Sequence, residues 1–302
     1  MRYGACSPMF NKLCLIGVGL IGGSIARAAR AHGLCKTIVG YGREADRGNL
    51  LEARRLGVID DFFLNIDAAV QEADCIIIAT PVGAIEQVLR ELKPYWSEQA
   101  VYSDVGSTKG SVITAIEHVF GTIPVNFVPA HPIAGAEQSG VGASMNGLFD
   151  NKRLIMTPVD TTDPEASAKI QQFWERLGAI VSVMDVDHHD AVLAATSHLP
   201  HLLAFALVDL LGRKDEQEEI FKYAAGGFKD FTRIASSDPT MWLDICLANK
   251  HKLIPLLQQL KQELDMMERA LEVDDGRRLF QTFTYAGQAR QRFLDQLINN
   301  NG

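Results

Sequence analysis

The chain has 302 residues, 47% hydrophobic and 22% charged, with 29 Lys and Arg against 37 Asp and Glu for a net charge of −8. That length makes one large domain or two medium ones, and the composition is that of a globular protein. The acidic balance argues against nucleic acid and anionic membrane as partners, but leaves room for a local basic pocket that takes an acidic substrate. The 5 cysteines (Cys6, Cys14, Cys35, Cys75, Cys246) form no CxxC pair and read as reduced thiols of a cytoplasmic protein. Residues 1–10 lack the apolar core of a signal peptide, and no apolar run approaches the length of a membrane span.

The apolar run Leu13, Cys14, Leu15, Ile16 leads directly into Gly17-Val18-Gly19-Leu20-Ile21-Gly22, and a helical pattern follows from Ser24. Gly17 permits a tight strand-to-helix turn, Gly19 leaves room for a pyrophosphate, and Gly22 lets the helix pack close to the strand. The free amides at the helix N-terminus favour phosphate. This predicts a dinucleotide site at Gly17, Gly19, Leu20, Ile21 and Gly22; the alternative is a glycine-rich helix packed on a sheet with no ligand. Further strand patterns fall at residues 12–17, 37–41, 75–80, 100–104 and 126–129, several separated by helical patterns. Such alternation implies a parallel sheet with helices on both faces. Added strands are expected at 153–157 and 179–184, around a helix at 164–177. Near Asp185 the texture changes. Residues 190–211 are apolar nearly all round, which predicts a buried helix. Residues 255–271 are amphipathic, and Leu279, Phe283, Ala286, Phe293 and Leu297 line one face of a last helix. The fold class is therefore α/β, an N-terminal Rossmann-type dinucleotide-binding domain over residues 1–184 with an all-α C-terminal domain over 185–302. So much apolar helix in a small domain predicts a homodimer; a self-contained bundle is the alternative.

Ligands of open parallel sheets lie outside the carboxyl ends of the strands. At the second strand end stands Tyr41-Gly42-Arg43-Glu44. The acid expected about 20 residues beyond the glycines, which would bind the adenosine ribose of NAD, is replaced by Gly42. Arg43 beside it suits a 2′-phosphate, while Glu44 can still reach a ribose, so NAD and NADP both stay open. Thr80 and Pro81 close the next strand pattern, and Ser107 follows the one after. His131 stands in a Gly/Pro-rich loop, where Ser107 and His131 can face one cavity. Histidine is suited to moving a proton near neutral pH; a structural hydrogen bond in a loop is the other reading. In the helical half, His198 and His201 lie close after Asp187-His188-His189-Asp190 and raise a metal site. We discount it, because no recognisable ligand motif is present and hydride transfer to a nicotinamide needs no metal. Lys229 and Arg233, spaced as neighbours on a helix beside Gly226-Gly227, suggest a carboxylate clamp rather than a solvated face.

Taken together, these residues resemble the prephenate/arogenate (cyclohexadienyl) dehydrogenase family of tyrosine biosynthesis. The similarity runs from about Phe10 to Phe293. Its motifs are Gly17–Ser24, Ala79-Thr80-Pro81, Asp104–Gly110, His131-Pro132-Ile133-Ala134-Gly135, His198-Leu199-Pro200-His201 and Gly226–Ala235. The resemblance implies NAD(P)-dependent oxidative decarboxylation of prephenate to 4-hydroxyphenylpyruvate. It makes His131 and Ser107 the catalytic residues: His131 polarises the substrate's ring hydroxyl, and Ser107 orients that hydroxyl and the nicotinamide. By the same resemblance, Arg233 binds a substrate carboxylate, with His201, Lys229, Glu137, Trp242 and Gly226 in the same pocket and a second subunit's glycine completing it. Arogenate is a further or alternative substrate. Two readings compete: another hydroxyacid dehydrogenase with its catalytic lysine in the helical half, and a dinucleotide sensor without catalysis.

Overall fold

A computed structural model describes residues 7–136, 138–214 and 219–299. Strand β1 (Phe10–Ile16) enters the glycine turn and helix α1 (Leu20–Ala31), followed by β2 (Cys35–Tyr41), α2 (Arg47–Arg55), β3 (Asp61–Phe63) and α3 (Ile66–Val70). Then come β4 (Cys75–Ile78), α4 (Ile85–Leu92), β5 (Val101–Asp104), α5 (Gly110–Phe120) and β6 (Phe127–Val128). These strands form one 6-stranded sheet in the order β3-β2-β1-β4-β5-β6, and every pairing in it is parallel.

The two central strands are buried on both faces, as helices on both sides require. Side chains alternate between two cores with the strand period. Leu13, Leu15, Cys75 and Ile77 pack with Ile25 and Ala29 on one face; Cys14, Ile16, Ile76 and Ile78 pack with Leu89 and Ile116 on the other.

Two differences from the sequence expectation have local causes. Strand β3 was not anticipated: it is a short edge strand, with only Phe62 and Phe63 to mark it. The pattern at 126–129 divides. β6 pairs with β5 as far as Val128, and then Pro129, which has no N–H to donate, interrupts the ladder. The next amide, Ala130, turns to the Asp104 carboxylate instead (3.3 Å). The chain thereby leaves the first sheet and opens a second as β7 (Ala130–Pro132). β7 pairs antiparallel with β8 (Arg153–Met156), and β8 pairs parallel with β9 (Ile180–Val183) across helix α6 (Pro164–Arg176). The two added strands thus form a sheet of their own with β7.

From Val186 onward the described residues carry helices and no strand. They are α7 (Val186–Leu193), α8 (Leu199–Lys214), α9 (Glu219–Lys222), α10 (Gly226–Thr232), α11 (Pro239–Ala248), α12 (Lys250–Glu272) and α13 (Gly276–Asn299). A π-helical turn over Ala194–His198 joins α7 to α8. Pro200 lies just beyond it; it offers no amide and crowds the carbonyl a turn earlier, a common cause of such a bulge.

The joined run Val186–Lys214 is, by length and composition, apolar enough to cross a membrane, which corrects the expectation that no apolar run approaches that length. Its first turns carry buried His189, Asp190 and His198, polar groups that are bonded to other parts of the protein as described below. Residues 190–211 are expected to form a helix buried against something; in the single chain Asp190, Leu193, Ala194 and His198 are buried, but within α8 only Ala204 is.

The chain divides into two compact units, Met1–Lys252 and Leu253–Gly302. In the second, Met266 and Ala270 of α12 line a small cleft with Leu279 of α13. The predicted stripe of α13 is exposed, with Phe283 at 61% and Phe293 at 48%.

Candidate active site

The glycine turn has the geometry that a dinucleotide needs. Gly17 has φ +93°, and a Cβ there would stand 2.8 Å from the Ala79 carbonyl oxygen. A Cβ on Gly22 would stand 2.1 Å from the Gly17 carbonyl oxygen, whereas one on Gly19 would meet nothing within 4 Å. Helix α1 starts without a side-chain cap and without an acidic residue in its first turn. The amides of Leu20, Ile21 and Gly22 therefore remain at a positive helix end, as phosphate binding requires. The Thr80 hydroxyl beside the turn is buried without a partner, and Pro81 leads into a 3-10 turn over Val82–Ala84. At the end of β2, Arg43 pairs with Asp46 (3.1 Å) and Glu44 with Arg47 (2.6 Å).

The turn after β5 is clamped to β7 by a buried charge pair. Lys109 and Asp104 are both fully buried; the Lys109 ammonium binds the Asp104 carboxylate and donates to the Ala130 carbonyl (2.7 Å). Asp104 also accepts the Gly106 amide at 2.7 Å. Burial pushes the Lys109 pKa down, against the pull of Asp104. Ser107, on this turn, is thereby tied to the strand that carries His131.

His131 is buried, and its Nδ1 lies 2.9 Å from Nε2 of His189. His189 Nδ1 lies 2.8 Å from Asp190 Oδ1. Asp190 in turn accepts the backbone amides of Lys109 and Gly110, each at 2.8 Å. Burial alone would raise the Asp190 pKa, but the bonds from His189 and the two amides outweigh it and hold the carboxyl low. An ionised carboxylate only accepts, so His189 donates from Nδ1. With His189 neutral, its Nε2 accepts, and His131 donates from Nδ1. His131 Nε2 is then left as a lone-pair acceptor. Burial, with His189, Lys109 and His198 nearby, holds the His131 pKa well below 6.5, so the acceptor form is present at neutral pH.

A second group adjoins the first. The Asn249 side-chain amide donates to the Asp190 carbonyl (2.8 Å) and to His198 Nδ1 (3.1 Å). Burial brings His198 down to about 4. The His201 ring stacks on Trp242 at 3.6 Å, and its Nδ1 donates to the Ser197 carbonyl at 2.8 Å. The Trp242 indole N–H is buried with no partner. Burial lowers the His201 pKa, and the charge of Arg233 lowers it further. A Cβ on Gly83 would stand 2.5 Å from the Asp244 carboxylate, which sets α11, the helix carrying Trp242, against the turn after Pro81.

The Lys109 clamp thus ties the turn that carries Ser107 to the strand that carries His131, and ring stacking and charge link His201 with Trp242 and Arg233. Lys229 and Gly226 are exposed on α10. That helix ends at Thr232, and Arg233 begins a 3-10 turn, so the clamp residues do not share one α-helical face. Glu137 lies outside the described residues. The relay through His189 and Asp190, the Lys109–Asp104 pair and Asn249 escaped the sequence reading. Its one signal was the Asp187–Asp190 run, weighed there as metal ligands. Among the described residues no three His, Cys, Asp or Glu side chains converge to hold a metal.

Comparison with known proteins shows the family. Residues 25–183 match the nucleotide-binding domain of prephenate dehydrogenase and residues 185–285 its dimerization domain. The chain belongs to the prephenate dehydrogenase family. It is 36% identical to the cyclohexadienyl dehydrogenase of Zymomonas mobilis over 93% of this chain and 96% of that one. It is 37% identical to the prephenate dehydrogenase of Bacillus subtilis, over 94% of this chain and 76% of that one. The crystal structure of Aquifex aeolicus prephenate dehydrogenase in complex with hydroxyphenyl propionate and NAD+ superposes with a TM-score of 0.85 at 34% identity, covering 94% and 98% of the two chains.

The buried histidines of this family member tie its stability to pH. An unfolded histidine titrates near 6.5, so below that pH the unfolded chain binds protons that folded His131 and His198 refuse. Stability is full above pH 6.5 and falls as pH drops toward 4. In urea titrations we expect the unfolding free energy to be lower at pH 5 than at pH 7 by about 4 kcal/mol, roughly half from each histidine, and a His198→Gln variant to lose about half as much. A midpoint that stays level over this range, in both proteins, contradicts the burial argument.

Proposed function

We propose that the chain is a prephenate dehydrogenase: a homodimer that converts prephenate to 4-hydroxyphenylpyruvate and carbon dioxide, that also accepts arogenate, and that works in the cytoplasm. The observation that carries this reading is the directed chain from Asp190 through His189 to His131, which leaves an unprotonated Nε2 on a buried histidine of β7. Functionally we divide the chain into a dinucleotide-binding domain, residues 1–184, and a helical substrate and dimerisation domain, residues 185–302. The change from strand to helix after Val183 supports the division, and the unpaired Cys14, Cys35, Cys75 and Cys246 suit a reducing compartment.

The bound partner would be held by Gly17, Gly19, Leu20, Ile21 and Gly22 at its pyrophosphate, with Arg43, Thr80, Pro81 and Ser107 along its length. A nicotinamide ring supplies the hydride acceptor when bound. His131 Nε2 takes the proton of the substrate's ring hydroxyl as C4 is oxidised and the C4–O bond becomes a carbonyl. The bond from the ring to its carboxylate then breaks, the electron pair enters the ring, and carbon dioxide leaves. The same His131 returns its proton to the oxygen, so no net proton is consumed. His189 and Asp190 are positioning residues, which keep the His131 proton on Nδ1. Ser107 orients the hydroxyl. Because aromatisation drives the loss of carbon dioxide, the protein chiefly holds the reacting atoms in place and moves one proton.

Prephenate is a dianion, and an acidic chain needs a local cation for it. Arg233 supplies a planar fork suited to a carboxylate, and the family resemblance adds Lys229, Gly226 and Glu137 to the substrate-binding residues. His201 and Trp242 form a stacked wall, and the unpartnered indole N–H of Trp242 offers a donor.

Three measurements test this. His131→Asn is expected to reduce prephenate-dependent reduction of the dinucleotide at 340 nm at least a hundredfold while dinucleotide binding persists; a variant with wild-type kcat removes His131 from the chemistry. Because the neutral form acts and burial lowers its pKa, kcat/KM should stay level from pH 8 to 6.5 and fall only at more acid pH. An acid limb centred at or above 6.5 is the contrary result. Arg233→Ala is expected to raise KM for prephenate at least tenfold, the least that loss of a charged hydrogen bond produces; an unchanged KM takes Arg233 out of the clamp.

A further inference from the structure

The end of β2 lacks the carboxylate that a dinucleotide-binding sheet places there for the adenosine ribose, because Gly42 stands in that position. The structure shows what borders the gap. A Cβ built on Gly42 would stand 3.1 Å from Cβ of Asp46 and 3.4 Å from its Oδ2. The Asp46 side chain, one helical turn further on, therefore borders the space that a side chain at position 42 would take, with Leu50 Cδ1 (3.1 Å) on its apolar side. A side chain at 42 would crowd it by a few tenths of an ångström. Gly42 is next to the glycine turn, since the Gly17 amide donates to the Tyr41 carbonyl at 2.9 Å. The Asn49 side chain of α2 fastens the same corner by donating to the Val18 carbonyl at 2.7 Å.

Asp46 is also paired with the cation that would favour the other dinucleotide. The Arg43 amide donates to Asp46 Oδ2 at 2.9 Å and Arg43 Nε to the same oxygen at 3.1 Å. The Arg43 side chain is 79% exposed and that of Asp46 40% exposed. Arg47 is held by Glu44 in the same way, through two bonds at 2.6 and 2.8 Å. The corner therefore carries two guanidinium groups and two carboxylates, with no net charge. Such a corner neither repels a 2′-phosphate as a lone acid does nor demands one as a lone arginine does. An exposed ion pair is weak, so a ligand group can open it.

We propose that Asp46 reads the adenosine ribose in place of residue 42, and that its ion pair with Arg43 sets the choice between NAD and NADP. Closed, the pair offers the Asp46 carboxylate to a ribose 2′-hydroxyl. Open, it offers the Arg43 guanidinium to a 2′-phosphate. The inference rests on the dinucleotide reading of the glycine turn, and it is independent of which substrate is oxidised.

The test is direct binding of NADH and of NADPH to the whole protein without substrate, followed by cofactor fluorescence. The quantity read is the ratio of the Kd for NADPH to the Kd for NADH. Asp46→Asn is expected to lower this ratio at least tenfold relative to wild type, and Arg43→Gln to raise it at least tenfold. Both side chains are exposed, and a ratio cancels any general weakening of the fold. A change below tenfold, or in the opposite direction, in either variant overturns the proposal. If neither dinucleotide binds the wild type, the dinucleotide reading falls and this proposal with it. Binding that follows the expected ratios without turnover of prephenate upholds the proposal and rejects the activity alone.

Discussion

The carboxylate of Asp190 is the contact on which the site depends. It is buried in a helix of the C-terminal half, yet its partners lie in the sheet domain: the Lys109 and Gly110 amides at the start of α5. A buried ionised group is costly unless its acceptor sites are filled. Here two amides and one imidazole N–H fill them. Since only His189 can supply that N–H, the requirement that stabilises the carboxylate also sets the His189 tautomer, and with it that of His131. Docking of α7 and preparation of a base are one set of bonds.

The Lys109–Asp104 pair does the complementary work on the sheet side. Pro129 breaks the β5–β6 ladder, and the chain then crosses from one sheet to the other. At that crossing the Ala130 amide and carbonyl need partners away from either ladder. Asp104 takes the amide and Lys109 the carbonyl. Two charges buried together are rarely the most stable choice for such a place, but they fix the geometry on both sides of the crossing. Ser107 sits on one side and His131 on the other. The price is rigidity where an enzyme benefits from it.

Much of the fold was legible because it rests on local rules. The glycine turn announces itself through Gly17 and Gly22, where any Cβ collides with backbone, and the central strands through their unbroken apolar runs. The edge strand at Asp61–Phe63 was hidden because three residues with one exposed face carry no pattern. The split at Pro129 had a visible cause whose effect depends on where Asp104 lies. His131 was legible from its position at a strand end. Its relay was not, because His189 follows 58 residues later and only the tertiary fold sets ring against ring. The Asp187–Asp190 run could be seen to be unusual, but spacing along a chain cannot distinguish ligands for a metal from ligands for one another. Asp46 was hidden for a related reason: a glycine is read as a missing side chain until the structure shows which neighbour borders its place.

The histidines of the site explain why an arginine is needed there. Burial keeps His131, His198 and His201 neutral, which suits a base and a stacked wall but leaves no positive charge for an anion. A lysine moved into the same surroundings would lose charge as Lys109 is pushed to do, and would keep it only beside a carboxylate that cancels it. A guanidinium stays protonated through any such change of environment. Arg233 also lowers the pKa of the His201 ring. The proposed division of labour follows from solvation: imidazoles in the interior for the proton, a guanidinium at the rim for the charge.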